Sequence, residues 1–166
     1  MTSRAARASF LDASALVKLH IQEGGSDAIR NFCAQEPLKY TTPFCFYEAL
    51  SLLKGVWKGR RKGITLSKEE YLQACSRLTA WYGAMSRQVK DLDFVSPSTF
   101  REARAIADRA SLDLSDAFQI LSVKSGYFSV LTNDSKTVFV TADEELAKAA
   151  RAEGLRVWNC VTEPPP

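Results

Sequence analysis

Short apolar runs alternate with longer stretches of helical periodicity along this chain. That alternation constrains the fold more than any other feature. Residues 8–11, 38–41, 137–140 and 155–158 each have the length and the apolar or β-branched content of a buried strand, and 92–95 is a weaker fifth candidate. Helical patterns run over 14–22, 26–33, from Pro43 to about Gly59, and over 67–85, 98–110, 114–124 and 143–153. Strands that alternate with helices predict an α/β domain of Rossmann-like type: a mostly parallel central sheet flanked by helices on both faces. In such a sheet the ligand crevice lies at the carboxyl ends of the strands. No linker or repeat divides the chain. We read residues 1–160 as one domain and 161–166 as a loose Pro-rich tail.

Local signals set several helix ends. Thr42-Pro43 is a helix start, because Thr caps well and Pro at the first helical position lacks only a donor that would be unpaired anyway. The helix that follows carries Phe44, Tyr47, Leu50, Leu53 and Trp57 at three- and four-residue spacing, which predicts one buried stripe. Ser67-x-x-Glu70 has the pattern of a capping box. The helical pattern over 114–124 is expected to stop near Gly126, and the one over 143–153 ends at Gly154, a fitting C′ residue.

Composition narrows the chemistry. With 166 residues and 46% hydrophobic content the chain is long enough to bury a core. It holds one histidine, His20, which we read as a packing or surface residue. A histidine-based metal site or a Ser-His-Asp triad has too few partners here. The cysteines Cys33, Cys45, Cys75 and Cys160 form no C-x-x-C pair and read as buried or partly buried thiols of a reducing compartment. The start of the chain has no apolar stretch of signal-peptide length, and no segment approaches the ~20 apolar residues of a membrane span, so a cytoplasmic location is expected. The net charge of +3 does not by itself indicate nucleic-acid binding.

Hydrolytic chemistry would therefore run on carboxylates, hydroxyls, lysines or a metal. Four acids stand at informative places. Asp12 ends the first strand, Glu48 lies in the second turn of the Pro43 helix, Asp116 lies at the start of the 114–124 helix, and Asp143 follows the 137–140 strand. All four positions belong near the carboxyl-end rim of a parallel sheet, and each acid sits in apolar sequence. Converging carboxylates repel one another and resist burial, and a cation relieves both effects. An all-oxygen donor set favours Mg²⁺ or Mn²⁺, which can activate a water for attack on a phosphodiester. Structural roles compete with this reading. Asp113 is expected to cap the helix that follows, with Asp116 as its partner three residues on. Thr141-x-x-Glu144 is itself a capping-box pattern, with Asp143 as one more first-turn acid.

The stretches Phe10-Leu11-Asp12-Ala13-Ser14, Phe46-Tyr47-Glu48-Ala49-Leu50, Leu114-Ser115-Asp116-Ala117-Phe118-Gln119 and Val140-Thr141-Ala142-Asp143-Glu144-Glu145-Leu146-Ala147, in that order, resemble the PIN-domain family. Within it they resemble the toxin ribonucleases of VapBC-type toxin–antitoxin pairs. The resemblance spans residues 8 to about 158. It implies a Rossmann-like fold and a metal-dependent endoribonuclease acting on single-stranded RNA, with Mg²⁺ or Mn²⁺ held by Asp12, Glu48, Asp116 and Asp143. Ser14 and Thr141 match hydroxyl positions that line such sites. It also implies a homodimer and a cognate antitoxin protein. The chain departs from the pattern after Asp116, where Ala-Phe-Gln-Ile-Leu-Ser replaces a run of small residues.

Lys58, Arg60, Arg61 and Lys62 form a basic cluster that is either a solvated face or a contact for RNA phosphates. Phe44, Phe46, Tyr47, Trp57, Trp81 and Tyr82 make an aromatic-rich region, expected to be mostly core. Any exposed excess would suit a dimer contact or an antitoxin helix. The alternative to a nuclease is a catalytically silent PIN-like module that binds protein or RNA. A phosphotransfer receiver domain fits less well, because Asp12 stands alone at its strand end and no central strand presents a phosphorylatable Asp.

Overall fold

A computed structural model of the chain describes residues 8–36, 38–85, 92–125, 129 and 137–166. Its elements are β1 (Ala8–Leu11), α1 (Ala13–His20), α2 (Ser26–Gln35), β2 (Leu38–Tyr40), α3 (Pro43–Trp57), α4 (Lys68–Met85), α5 (Pro97–Ala110), α6 (Leu114–Ser125), β3 (Val138–Thr141), α7 (Glu144–Ala152) and β4 (Arg156–Asn159). The four strands form one parallel sheet in the order β2-β1-β3-β4. The architecture is the expected α/β one: a single Rossmann-like sheet flanked by helices.

The strand order places the site. From β1 the chain moves outward to β2, then returns past β1 to β3 and moves outward the other way to β4. The β1-to-β2 and β3-to-β4 connections move outward in opposite directions. They leave a switch point between β1 and β3. Every residue of β1 and β3 is buried, as strands covered on both faces should be. Paired neighbours fill both faces. Phe10 stacks on Phe139 with ring centroids 5.5 Å apart, and Val140 pairs with Trp158, whose ring lies 4.5 Å from that of Phe32 on α2.

Several local signals act as expected. Thr42 Oγ1 accepts from the Cys45 amide at 3.2 Å, with Pro43 opening α3. Ser67 and Glu70 form the reciprocal capping box, with bonds of 2.7 and 3.1 Å. Gly154 has the positive φ of a C′ glycine. Cys33, Cys45 and Cys160 are buried free thiols and Cys75 is half-buried. His20 is buried edge-on to Trp81. Among the described residues no helix is long and apolar enough to cross a membrane.

Other expectations are corrected. Residues 92–95 form a turn rather than a strand. The Asp93 carboxylate accepts from the Val95 amide at 3.1 Å, the Asp93 carbonyl accepts from Ser96, and Val95 is exposed. An Asp side chain that bonds the backbone two residues on competes with a ladder. The buried face of α3 is Cys45, Phe46, Ala49, Leu53 and Val56; of the predicted stripe Leu53 is buried, Phe44, Leu50 and Trp57 are half-buried, and Tyr47 is 67% exposed. Small side chains at 45 and 49 let α3 lie close against its neighbours, while the aromatic residues pack along the flanks: Phe46 stacks on Tyr82 and Trp57 on Tyr71. The tail is not loose from its first residue. The amides of Val161 and Thr162 donate to Asn159 Oδ1, and Glu163 accepts from the Asn159 amide and pairs with Arg151. The expected helix stop at Gly126 lies outside the described residues.

Gly25 joins α1 to α2 with φ +86°, and a Cβ there would sit 2.9 Å from the Cys160 carbonyl oxygen, whereas a Cβ on Gly24 meets nothing within 4 Å. Gly25→Ala should therefore destabilise the fold by more than about 1 kcal/mol, since it adds both αL strain and a backbone clash. Gly24→Ala should change stability by no more than about 0.5 kcal/mol. Urea titrations of both variants check this, and equal midpoints would refute the close approach of Gly25 to Cys160.

Candidate active site

Strand ends and helix starts meet at the β1/β3 switch point. There, Asp12, Ser14, Glu48, Asp113, Ser115, Asp116, Gln119, Asp143 and Arg61 line a cavity of about 310 Å³. The four acids read from the sequence open onto this one cavity from four separate stretches of chain. Asp12 N-caps α1 after β1. Glu48 projects from the second turn of α3, Asp116 from the first turn of α6, and Asp143 N-caps α7 after β3.

Asp12 is the most constrained of them. It is 1% exposed. Its Oδ1 accepts from the Ala15 amide at 2.7 Å and from Ser14 Oγ at 2.8 Å, and its Oδ2 accepts from Thr141 Oγ1. Both hydroxyls also accept. Ser14 Oγ takes the Ala142 amide at 2.8 Å, and Thr141 Oγ1 takes the Asp143 amide at 3.0 Å. Each hydroxyl thus gives its proton to Asp12 and ties the β3–α7 junction to the end of β1. Ser14 lines the cavity, whereas Thr141 is fully buried behind Asp12 and does not line it.

The capping expectations need revision. The capping residue of α7 is Asp143, whose Oδ1 accepts from Leu146 at 2.9 Å. Thr141 cannot form the expected box with Glu144 because it lies inside β3 and its hydroxyl is turned toward Asp12. The Asp113 carbonyl accepts from the Ala117 amide at 3.1 Å, but its carboxylate makes no bond to the first turn of α6 among the described residues. Its carboxylate lines the cavity and adds its charge to the field at Glu48 and Asp116.

Sequence reasoning missed Gln119. It is 2% exposed and lies one turn beyond Asp116 on α6. Its Nε2 donates to Glu48 Oε2 at 2.8 Å and makes a long 3.5 Å contact with Asp116 Oδ1. Its Oε1 faces the Ala13 amide at 3.4 Å and Cys45 Sγ at 3.5 Å. The i, i+3 spacing from Asp116 is the signal that puts it on the same helix face. Of the basic cluster, Arg61 reaches the cavity. Lys58 lies over the Trp57 ring, and Arg60 and Lys62 are exposed.

Burial and mutual repulsion raise three of the acids toward neutrality. Desolvation pushes Asp12 up to about 6 against its three hydrogen bonds, with Asp116 adding to the rise. Desolvation, then Asp116, Asp12 and Asp113, push Glu48 to about 7. Desolvation, then Asp143 and Asp113, push Asp116 to about 6. Oxygen donors of this charge suit a hard divalent cation, which would offset the repulsion. Among the described residues, however, no three acid, histidine or cysteine side chains are gathered into a ready coordination group. The side-chain bonds explain the spacing: Gln119 stands between Glu48 and Asp116, while Asp12 and Asp143 each serve a helix cap.

No protein-family model matches the chain, and no curated protein matches it. Among solved structures, the chain is similar to the crystal structure of PAE2754 from Pyrobaculum aerophilum. The TM-score is 0.55 at 22% identity, over 92% of this chain and 84% of that one. At this identity the likeness concerns the fold.

Two measurements test the site. Carboxyls with raised folded-state pKa values bind protons more tightly in the folded protein than in the unfolded one. Their contribution is thus full below about pH 4 and is lost as pH rises toward 7. In chelator the melting temperature should fall between pH 5 and pH 8. Glu48→Gln, whose amide oxygen can still accept from Gln119, should flatten that fall and melt above the wild type at pH 8. Superimposable pH profiles would show that Glu48 titrates at its ordinary value. Separately, Thr141→Val strands the Asp143 amide and removes a donor from Asp12. It should cost about 1–3 kcal/mol in denaturant unfolding, with Thr141→Ser recovering most of the loss.

Proposed function

We propose that the chain is a metal-dependent endoribonuclease of the PIN-domain kind, hydrolysing phosphodiesters of single-stranded RNA at the acidic cavity. The observation that carries this reading is the convergence of Asp12, Glu48, Asp116 and Asp143 on one cavity at the carboxyl ends of the central strands, with three of them raised toward neutral pH. Acids displaced in this way concentrate at sites that handle charge.

Asp12, Asp116 and Asp143, with Glu48, would hold Mg²⁺ or Mn²⁺; the donors fit in hardness and charge, and loading requires Gln119 to yield its place between Glu48 and Asp116. A divalent cation bound there supplies Lewis-acid polarisation of the phosphodiester and an acidified water. The chain's own residues divide the remaining work. Glu48 is raised toward neutrality without a cation by burial and by Asp116, Asp12 and Asp113; a cation would draw it back to its ionised form, in which it can orient a water beside it. Gln119 holds the Oε2 edge of Glu48 until a cation enters. Ser14 and Thr141 keep the buried Asp12 carboxylate from swinging, so it stays at one place in the cavity wall. On this reading the biological form is a homodimer neutralised by a cognate antitoxin, for which exposed Tyr47, Leu72 and Phe100 offer apolar surface.

The purified chain should cleave a labelled single-stranded RNA with millimolar Mn²⁺ or Mg²⁺ and not in chelator. A hundredfold excess of Mn²⁺ over its Kd should stabilise the fold by about 2.7 kcal/mol. Asp116→Asn should abolish cleavage and most of that stabilisation. Mn²⁺ stabilisation with no cleavage of any single-stranded RNA would favour the silent binding module, and cleavage that persists in chelator would overturn the proposal.

A further inference from the structure

We infer that Arg61 is a phosphate-binding residue of the acidic cavity, supplying the positive charge against which the backbone of a single-stranded nucleic acid is seated. The inference deepens the nuclease reading and rests on its choice of substrate class.

Among the described residues, Arg61 is the one cation that lines the cavity. It stands just past the end of α3, on the segment that leads to α4, with Gly59 and Gly63 on either side, both at positive φ. Glu48 and Leu52, one turn apart on α3, line the same cavity, and Arg61 lines it from just past the end of that helix.

Its ion pair does not account for it. Arg61 Nη1 lies 3.3 Å from Glu23 Oε1, but that oxygen is already 3.1 Å from Lys18 Nζ, and both Lys18 and Glu23 are nearly buried. The Lys18 charge alone balances Glu23. Glu23 Oε1 has no partner with hydrogen-bond geometry. Arg61 is therefore a second cation beside one carboxylate, and none of its five N–H donors is spent on a hydrogen bond among the described residues. Its side chain is 39% exposed. A purely structural arginine saturates its fork on carbonyls, as Arg30 does by donating to Leu19 and Ile21 oxygens. Arg61 does not.

The chemistry of the ligand follows. A cavity lined by Asp12, Glu48, Asp113, Asp116 and Asp143 repels a phosphodiester by itself. A planar fork of unspent donors at the same cavity matches phosphate geometry, and arginine is suited to that bidentate role.

The test uses a labelled 2′-O-methyl RNA decamer, checked by gel to be intact after each titration, with fluorescence anisotropy in Mn²⁺ and in chelator across a salt series. Arg61→Ala should weaken binding in Mn²⁺ about tenfold or more. It should also lower the slope of log K against log salt by about 0.7, the loss of one phosphate contact on a single strand. Arg61→Lys should restore the slope and part of the affinity. Lys18 still balances Glu23 in these variants, so their melting temperatures should stay near that of the wild type. Unchanged affinity and slope in Arg61→Ala would overturn the inference, as would a wild type that does not bind the decamer in Mn²⁺. If the wild type binds in an Arg61-dependent way yet cleaves no RNA, the nuclease reading fails and the role of Arg61 stands. If it cleaves RNA and Arg61→Ala binds like wild type, only the role of Arg61 fails.

Discussion

The burial of Asp12 between two hydroxyls is the constraint on which the rest of the site depends. A lone carboxylate moved out of water loses several kcal/mol of hydration even after relaxation. Hydrogen bonds to a charged group return about 1.5–3 kcal/mol each. Asp12 receives three, from Ala15, Ser14 and Thr141. The opposing effects are of similar size, which is why the carboxyl settles near pH 6 rather than far above or at its ordinary value. The same donors are structural. Because Ser14 and Thr141 also accept from the amides at 142 and 143, the helices that follow β1 and β3 are held in fixed relation at the switch point.

A second layer of control is the spacing of the other acids. Glu48 and Asp116 would repel more strongly if they met, and the Gln119 amide keeps them apart while neutralising neither. Asp143 is drawn toward the α7 backbone by its cap. The site is thus a set of acids restrained by neutral donors, with its charge still to be balanced from outside. On the reading proposed here a divalent cation balances the acids from within, and Arg61 offers the substrate phosphate a counter-charge.

Much of this was legible in the residues. Strands at 8–11 and 38–40, the caps at Thr42 and Ser67, and the positions of Asp12 and Asp143 at strand ends depend on contacts within about four residues, and local contacts are written in local sequence. The periodicity of α3 was legible as amphipathic but misleading as to its face. It marked the large side chains Tyr47 and Trp57, whereas close packing selected the small ones, Cys45 and Ala49. At 92–95 strand-like composition lost to the Asp93 side chain, a turn-former that apolar neighbours obscure.

The sequence by itself determined the α/β class, the order of elements apart from 92–95 and the identity of four acids suited to one rim, because periodicity, caps and strand-end residues act over a turn or less. Only the tertiary structure decided what those acids meet. Thr141 bonds Asp12 across 129 positions and Gln119 bonds Glu48 across 71. Arg61 and Asp113 join the cavity from segments whose composition reads as surface and cap. These pairings follow from strand order: with β3 inserted beside β1, chain ends remote in sequence share one edge, and burial there makes each carboxylate take the nearest donor whatever its distance along the chain.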